Sequence, residues 1–584
     1  MVFYAPTGQA AELPYEVPES LAICEFLWTE HYERNPLGYS RPPFVCGLSG
    51  KEYSALEVRD RVDHLARSLS TDLGWHPNES SEWDKVVAIF GLNTIDTPTL
   101  AWAVHRLSGI VTPINAAYSA PEVTHQLKAS GAKALFTCVP LLPLAREAAQ
   151  QAGIPQDKVY LIDLPVEITG QTSLSNEFKT VNQLIQAGEK LPRLEALKWA
   201  EHQGSTQVAF LSYSSGTSGL PKGVMVSHRN IICNVLQITA QEKPYRDTQK
   251  GLGNVSDYTE IQLGLLPQSH IYGLTFLCHL SAYRGDSVIV FPKFELQQIL
   301  NSVQQFRINT LFLVPPIIIA MTKNKKLVDK YDLSSVTCIY TGAAPLGVET
   351  AEEVHQQYPS WKIRQGYGLT ESSPVISSTP HTDIVYGSSG CLLPLTEARL
   401  VSLEGNEITG YDQPGELLVK APNVVLGYYE NEKATRETFQ DGWLRTGDEV
   451  LIRKSPQGNE HIFVIDRIKE LIKVKGFQVA PAELEDHLLS HHSVADAAVV
   501  PIPDDKAGEL PKAFIVKSPS VGIEENERVL KRDISKWVEE HMAKYKWLRG
   551  GIEFVDAIPR SPSGKILRRL LRDQHPGRKP VAKM

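Results

Sequence analysis

The sequence predicts an α/β protein: a large N-terminal domain of layered α/β subdomains with a small β unit, then a small, mobile α+β C-terminal domain. Three observations lead there. From about residue 50 to 400, apolar β-rich runs (KVVAIFGL, IVTPIN, ALFTCV, SVIVF, NTLFLVP, VTCIYTG) alternate with amphipathic helical stretches, the pattern of parallel strands covered by helices. Near 400–465 the texture changes to short strands and turns such as GELLVKAPN and HIFVID. Beyond DRIKELIKVKGF the chain restarts with a helix (PAELEDHLLS), strands DAAVVPIP and AFIVK, and a helix with Leu530, Ile534, Trp537 and Val538 on one face. The expected division is 1–465, a hinge at 466–469, and 470–584, the last being about 115 residues, enough to fold alone.

The elements follow in order. Helices are expected up to Gly109 and up to Gly131, where glycine stops them. Ser227 is placed to cap a helix whose Ile231, Ile232, Val235 and Leu236 fall at core spacing. The polar stretch 167–206 reads as surface connection, and the pair His491-His492, ending a helix without a partner pattern, as surface.

Composition narrows the function classes. A chain of 584 residues with 42% hydrophobic content is too long for a single core and implies several packed units. The net charge of −8 is mild, and no basic stripe carries interleaved aromatics, so no nucleic-acid partner is expected. Seven scattered cysteines without a Cys-x-x-Cys pair read as core thiols in a reducing compartment. No Lys or Arg precedes Arg34, which argues against a secretory or mitochondrial leader. The longest apolar run, 311–321, is too short for a span and holds two prolines, so a soluble intracellular protein with no membrane span is expected.

The stretch YSSGTSGLPKGV at 213–224 follows the apolar run VAFLS. A Gly/Ser/Thr loop leaving a strand can aim backbone N–H groups and hydroxyls at one point, and Lys222 adds a mobile positive charge. That describes a phosphate cradle. It is not the nucleoside-triphosphatase loop, because Pro221 stands five positions after Gly216 and Gly223 follows Lys222. Nor is it the dinucleotide fingerprint, since Gly216 and Gly219 are three apart with no glycine two residues from either.

With TGAAPLG (341–347), QGYGLTE (365–371), GELLVKAPNVVLGYY (415–429), WLRTGD (443–448), DRIKELIKVKGFQVAPAELE (466–485), GELPKAFIV (508–516) and PRSPSGKILRR (559–569), the chain resembles the adenylate-forming acyl-CoA synthetases. Within them it is most similar to the 4-coumarate–CoA ligase branch, which includes firefly luciferase. The resemblance runs from about residue 20 to the C-terminus. It implies an acid–CoA ligase: a carboxylate attacks the α-phosphate of ATP to give acyl-AMP and pyrophosphate, and coenzyme A then displaces AMP. ATP, Mg²⁺ and coenzyme A are the implied cofactors and a small-molecule carboxylic acid the implied partner. Two alternatives are an adenylating enzyme that passes its acyl group to a carrier protein and, in another class, a non-catalytic nucleotide-binding protein.

Site residues carry over one by one. The resemblance implies that Ser214, Ser215, Gly216, Thr217, Ser218, Gly219 and Lys222 hold the β- and γ-phosphates. Glu371, after Thr370, is a hard oxygen ligand suited to Mg²⁺. Asp448 resembles the carboxylate that takes both ribose hydroxyls, Arg467 reaches the same sugar, and Gly342, Ala343, Ala344, Gln365, Gly366, Tyr367 and Thr370 complete the ATP/AMP site. Lys565 reaches the carboxylate and α-phosphate during adenylation. Lys473 and Gln478 belong to a face used in one domain orientation or the other, and Lys475, Gly476 and Lys293 match coenzyme A contacts. His270 matches an aromatic gate beside the acid. The acid pocket is expected from Ile271, Tyr272, Thr275, Tyr340, Gly342, Gly366, Gly368, Pro374 and Val375.

Plant 4-coumarate ligases usually carry Asn where Thr275 stands and Lys where Tyr340 stands, which points away from 4-coumarate. An arylalkanoic or medium-chain fatty acid fits better. The terminal Ala582-Lys583-Met584 resembles the Ser-Lys-Leu tripeptide read by a peroxisomal import receptor, so a peroxisomal location is expected over a cytoplasmic one.

Overall fold

The computed structural model describes residues 1–6, 12–32, 34–170, 177–214, 221–249, 258–402, 404–475, 477–504, 506–518, 526–561 and 564–574. Four sheets organise them. In the first, the order is Val159–Leu161, Ala134–Thr137, Val86–Phe90, Ile110–Ile114, Val208–Ser214, Lys222–Ser227; it is parallel except for the last, antiparallel pair. The second has nine strands with a parallel centre built from Ser287–Val290, Ile261–Gly264, Thr310–Leu313, Cys338–Thr341 and Lys362–Gly368. Strands such as VVAIF are buried along their whole length, as expected where helices cover both faces of a parallel sheet.

Local rules explain the helices between them. Helix Ala55–Leu73 starts with a capping box, Ser54 Oγ accepting from the Glu57 N–H (3.3 Å) while the Glu57 carboxylate accepts from the Ser54 N–H (2.8 Å), and ends at Gly74 with φ +69°. Helix His228–Gln249 begins after Ser227, whose Oγ accepts from the Asn230 N–H at 3.2 Å. Ile231, Ile232, Val235 and Leu236 are buried as the spacing predicts. The main core runs continuously between the two parallel sheets.

The third sheet is antiparallel and contains Glu397–Val401, Gly415–Lys420, Trp443–Lys454 and Glu460–Arg467. The fourth begins at Ile472 and pairs Ile472–Val474, Phe477–Val479, Val494–Asp504, Gly508–Lys517 and Ile552–Phe554 around its own core of Leu484, Leu488, Val499, Ile515, Ile534 and Val538. The chain is therefore mixed α/β with a large N-terminal and a small C-terminal domain. Among the described residues no helix is long and apolar enough to cross a membrane. All seven cysteines are buried free thiols.

Two expectations are corrected here. The stretch 167–206 is more than surface connection: Val181–Glu189 is a capped helix whose Val181, Leu184 and Ile185 enter the main core. His491 is buried, not exposed, with Nε2 3.4 Å from the Asp533 carboxylate and its ring edge-on to Trp537.

Candidate active site

Two cavities, of about 480 and 570 Å³, meet where the loop carrying Lys565 enters between the domains. Strand ends and the turns after them supply the walls, the usual place for ligands in open α/β sheets.

The first cavity holds the acid-pocket residues and the phosphate side. Ile271, Tyr272, Tyr340, Gly366, Gly368, Pro374 and Val375 line it together with His270. Tyr272 Oη donates to the Tyr340 carbonyl (3.2 Å), and Tyr340 Oη to Ser378 Oγ (2.9 Å). Phe276 stands edge-on to the Tyr272 ring at 5.1 Å, so three aromatic rings close the apolar end. Gly366 is required there, because a Cβ would lie 2.3 Å from Tyr340 Oη.

Thr275 is the exception among the expected pocket residues. It is buried behind the wall with its hydroxyl donating to the Ser373 carbonyl at 3.0 Å, and Phe276 faces the cavity instead. The cause is local: Leu274–Leu280 is wound as a wider π-helix, which shifts the side chains relative to α-helical spacing.

On the phosphate side, Ser214, Lys222, Thr370 and Glu371 line the same cavity. Glu371 Oε1 accepts from Tyr428 Oη (2.8 Å) and Ser214 Oγ (3.3 Å), and Lys222 Nζ lies 4.7 Å from the Tyr428 ring centre. A carboxylate with hydroxyls beside it is a hard-oxygen set that fits Mg²⁺. Ser215, Gly216, Thr217, Ser218 and Gly219, like Gly476 and Ala582-Lys583-Met584, lie outside the described residues. Tyr428 lies in the stretch GELLVKAPNVVLGYY, where nothing local marks it as a site residue; only the fold brings it to Glu371, 57 residues away.

The second cavity is bordered by Ala343, Ala344, Gln365, Tyr367, Asp448 and Arg467; Gly342 lines the first. Ala343 adopts φ +68°, a left-handed turn that a small side chain tolerates best. Gln365 has its amide spent on this turn, accepting from the Leu346 N–H (3.0 Å) and donating to the Leu346 carbonyl (3.2 Å), so it shapes the wall. Asp448 and Arg467 are cross-strand partners, with Arg467 Nε 3.3 Å from one carboxylate oxygen and Tyr367 Oη donating to the other at 2.6 Å. Burial raises the Asp448 carboxyl above its ordinary range, while Arg467 and Tyr367 pull it down. A carboxylate has lone pairs beyond those two bonds and can still accept hydroxyls.

Lys565 borders both cavities. Its pKa is lowered, first by burial and then by the nearby Arg467 charge. Burial and then Lys565 itself lower His270 to about 4, so that imidazole is neutral at pH 7. The loop is pinned on both sides: Arg560 pairs with Asp496 (2.8 Å) and donates to the Gly564 carbonyl (2.9 Å), while Arg568 pairs with Glu485 (3.0 Å). Gly564, at φ +84°, sits against Val314 of the large domain, where a Cβ would come within 3.1 Å.

Lys473, Lys475 and Gln478 are not brought to this site. They are exposed on the hairpin Ile472–Val474/Phe477–Val479, and neither cavity touches them. The small domain turns the loop bearing Lys565 toward the cavities. Lys293, exposed after strand Ser287–Val290, borders neither cavity.

Residues 33–429 match the AMP-binding enzyme family and residues 483–565 the AMP-binding enzyme C-terminal domain. The chain belongs to the AMP-binding enzymes. It is similar to the acyl-CoA ligase frbB of Dothideomycetidae sp., 44% identical over 567 residues that cover 97% of this chain and 98% of that protein. It is also similar to the acyl-CoA ligase easD of Emericella nidulans, 40% identical over 573 residues covering 98% and 100%. Among solved structures, the anthranilate CoA ligase AuaEII with anthranoyl-AMP shares the fold at TM-score 0.77 and 24% identity, with 95% of this chain and 98% of that one covered. MatB from Rhodopseudomonas palustris does so at TM-score 0.75 and 23%, covering 95% and 99%. This AMP-binding enzyme is an AMP-forming acid–CoA ligase, with ATP and coenzyme A as the substrates expected of that family.

Proposed function

We propose that the enzyme activates an apolar carboxylic acid, arylalkanoic or medium-chain fatty, as acyl-AMP and then transfers it to coenzyme A. The observation that carries this is the position of Lys565, delivered by the small domain to the junction of the two cavities beside His270 and Asp448. In this reading the acid lies along Tyr272, Tyr340, Pro374 and Val375 with its carboxylate toward His270. The nucleoside occupies the Ala343–Asp448 side, its ribose hydroxyls on Asp448. Attack of the carboxylate on the α-phosphate concentrates negative charge, and a desolvated ammonium stabilises that charge more than water would. Neutral His270 walls off the carboxylate without competing for it electrostatically. Mg²⁺, held by Glu371, would neutralise phosphate charge and orient the pyrophosphate leaving group.

An apolar, aromatic-lined pocket selects by burial, about 0.8 kcal/mol per methylene, which favours an acid with a hydrophobic body over acetate. The second half-reaction requires the exposed Lys473–Gln478 hairpin to replace the Lys565 loop, with the turn at 466–469 as the hinge.

The test is acid-dependent ATP–pyrophosphate exchange over a panel of short, medium-chain and arylalkanoic acids, with acyl-CoA products followed chromatographically. Exchange and thioester formation concentrated in the two larger classes are expected; exchange with acetate alone would overturn the substrate assignment. A second outcome concerns Glu371. Tyr428→Phe removes a hydroxyl that orients the proposed metal ligand, and such losses weaken metal affinity about 10–100-fold. The Mg²⁺ concentration for half-maximal exchange should rise by about tenfold with saturating rate nearly kept; an unchanged requirement would remove Mg²⁺ from Glu371.

A further inference from the structure

Helix Pro481–Leu489 of the small domain brings Asp486 to the start of helix Val348–Gln357 of the large one. Asp486 lies directly against Gly347, the residue that opens helix Val348–Gln357: a Cβ there would fall 1.5 Å from Asp486 Oδ1. Asp486 also shares a side-chain hydrogen bond with Glu349 in the first turn of that helix. Two carboxyl groups from two domains thus meet at a helix start, where unpaired N–H groups and the helix dipole favour an acceptor. Two carboxylates cannot bond each other unless one carries a proton.

We propose that Asp486 is a positioning residue: its protonated carboxyl, docked on Gly347 and bonded to Glu349, latches the small domain in the orientation that presents Lys565. This rests on the two-step reading of the site given above. The latch sits at the edge of the second cavity, which Asp486, Gly347 and Lys565 all border.

The surroundings favour the shared proton. Burial first, then the bond and charge of Glu349, raise Asp486 to about 8, whereas Glu349 is lowered by its bond from Asp486. The other titratable groups of the two helices have neighbours of their own, Glu352 and His355 lying by Tyr386. Glu483 pairs with Lys546, Glu485 with Arg568, and His487 stacks on Trp537; Lys323, on the neighbouring helix, donates to the Val494 and Ala495 carbonyls and feels Glu353 and Asp496. Burial lowers the His487 pKa, and what charge the ring carries acts on Glu349, helping to hold that carboxyl down.

The sign follows. In the rotated orientation Asp486 meets water and has an ordinary carboxyl pKa of about 4. A group whose pKa is raised in the docked state favours that state at low pH. The advantage shrinks as pH rises above 4 and is gone once pH passes the docked value near 8. Alkaline pH therefore releases the domain toward the thioester-forming orientation.

The experiment follows ATP–pyrophosphate exchange in the full chain from pH 6.5 to 9.5, alongside thioester formation from supplied acyl-adenylate. Wild-type exchange should fall by up to about tenfold per pH unit as far as about pH 8 and level off above it, the course of one linked proton. Asp486→Asn keeps a donor to Glu349 without a titrating proton; it should retain neutral-pH exchange within about threefold and flatten that fall. Asp486→Ala and Gly347→Ala should lower exchange about tenfold or more while sparing thioester formation. A second readout needs no turnover: spin labels on Leu56→Cys and Val529→Cys, both exposed positions, report the domain separation. The separation should shift with pH in the parent and stay fixed with Asp486→Asn. An Asn variant that keeps the parental pH dependence in both readouts, or an Ala variant that lowers both half-reactions equally, overturns the latch. Loss of exchange with every acid, while the separation still responds to pH through Asp486, would instead count against the ligase reading and leave the latch standing.

Discussion

Lys565→Ala is expected to cut acyl-adenylate formation by about 10²–10³, a loss of about 3–4 kcal/mol of transition-state stabilisation, and to leave thioester formation from supplied acyl-adenylate within a few fold of wild type. The size follows from where the ammonium sits. It is largely withdrawn from water, borders both cavities, and lies within electrostatic reach of His270, Asp448 and Arg467. The selectivity follows from the hairpin carrying Lys473 and Gln478, which is exposed while Lys565 is inside. ATP–pyrophosphate exchange reads the first half-reaction, and a single-turnover assay with added acyl-adenylate and coenzyme A reads the second. Equal loss of both would mean that Lys565 supports the fold and not one chemical step. The loop itself is held by Arg560–Asp496 and Arg568–Glu485, which the substitution leaves in place.

That a single lysine could be singled out from the sequence, and others could not be placed, has a physical reason. Strands such as VVAIF and CIYT are apolar along their length, so the parallel sheets were legible from composition. Side-chain direction was legible only where backbone geometry is regular. Thr275 misled because the π-wound turn at Leu274–Leu280 changes which residue faces inward, and nothing in LTFLCHL signals that winding. His491 looked like surface because its partners, Asp533 and Trp537, come from a helix some 40 residues later. Helix Val181–Glu189 was hidden by polar flanks, although Thr180 and Gln183 form a capping box that could have announced it. Lys473 and Lys475 lie within a recognisable motif, yet a motif does not state which way the packed domain turns its side chains.

The domain interface combines these points. Among the contacts between the small domain and the large one are the Gly564 turn on Val314, Lys323 on two carbonyls, and Asp486 on Gly347. These are a turn, two hydrogen bonds and a proton-dependent contact, and none is a broad apolar seam. In the proposed two-step cycle, in which the small domain rotates, contacts of that kind suit the task, strong enough to select an orientation and few enough to break within a catalytic cycle.

The second large effect concerns stability. Arg284→Met should destabilise the large domain by about 3–5 kcal/mol, the usual cost of removing one member of a buried ion cluster. Arg246, Arg284 and Arg364 interleave with Glu242, Glu260 and Asp286 beneath the acid pocket, all six nearly inaccessible. Arg284 bonds Asp286 at 2.9 Å and also meets Glu242 and Glu260, so it serves all three carboxylates. Without it the cluster carries an uncompensated negative charge in a low-dielectric interior. Arg364, another member, stacks at 5.2 Å over Tyr340, whose other side lines the acid pocket, so the damage should reach substrate affinity as well. Burial alone would raise Glu242, but Arg364 and Arg284 outweigh it and hold the carboxyl below its ordinary range. The cluster's stabilisation is therefore present above the ordinary carboxylate pKa of about 4 and lost as pH falls below it. Urea titration of the large domain, followed by tryptophan fluorescence, measures the change. Removing Asp286 together with Arg284 restores charge balance, so Arg284→Met/Asp286→Asn should recover part of the loss, a coupling that an exposed pair would not show. A single-variant loss below about 1 kcal/mol, the range of exposed pairs, would show that water reaches the cluster and that it does not brace the pocket.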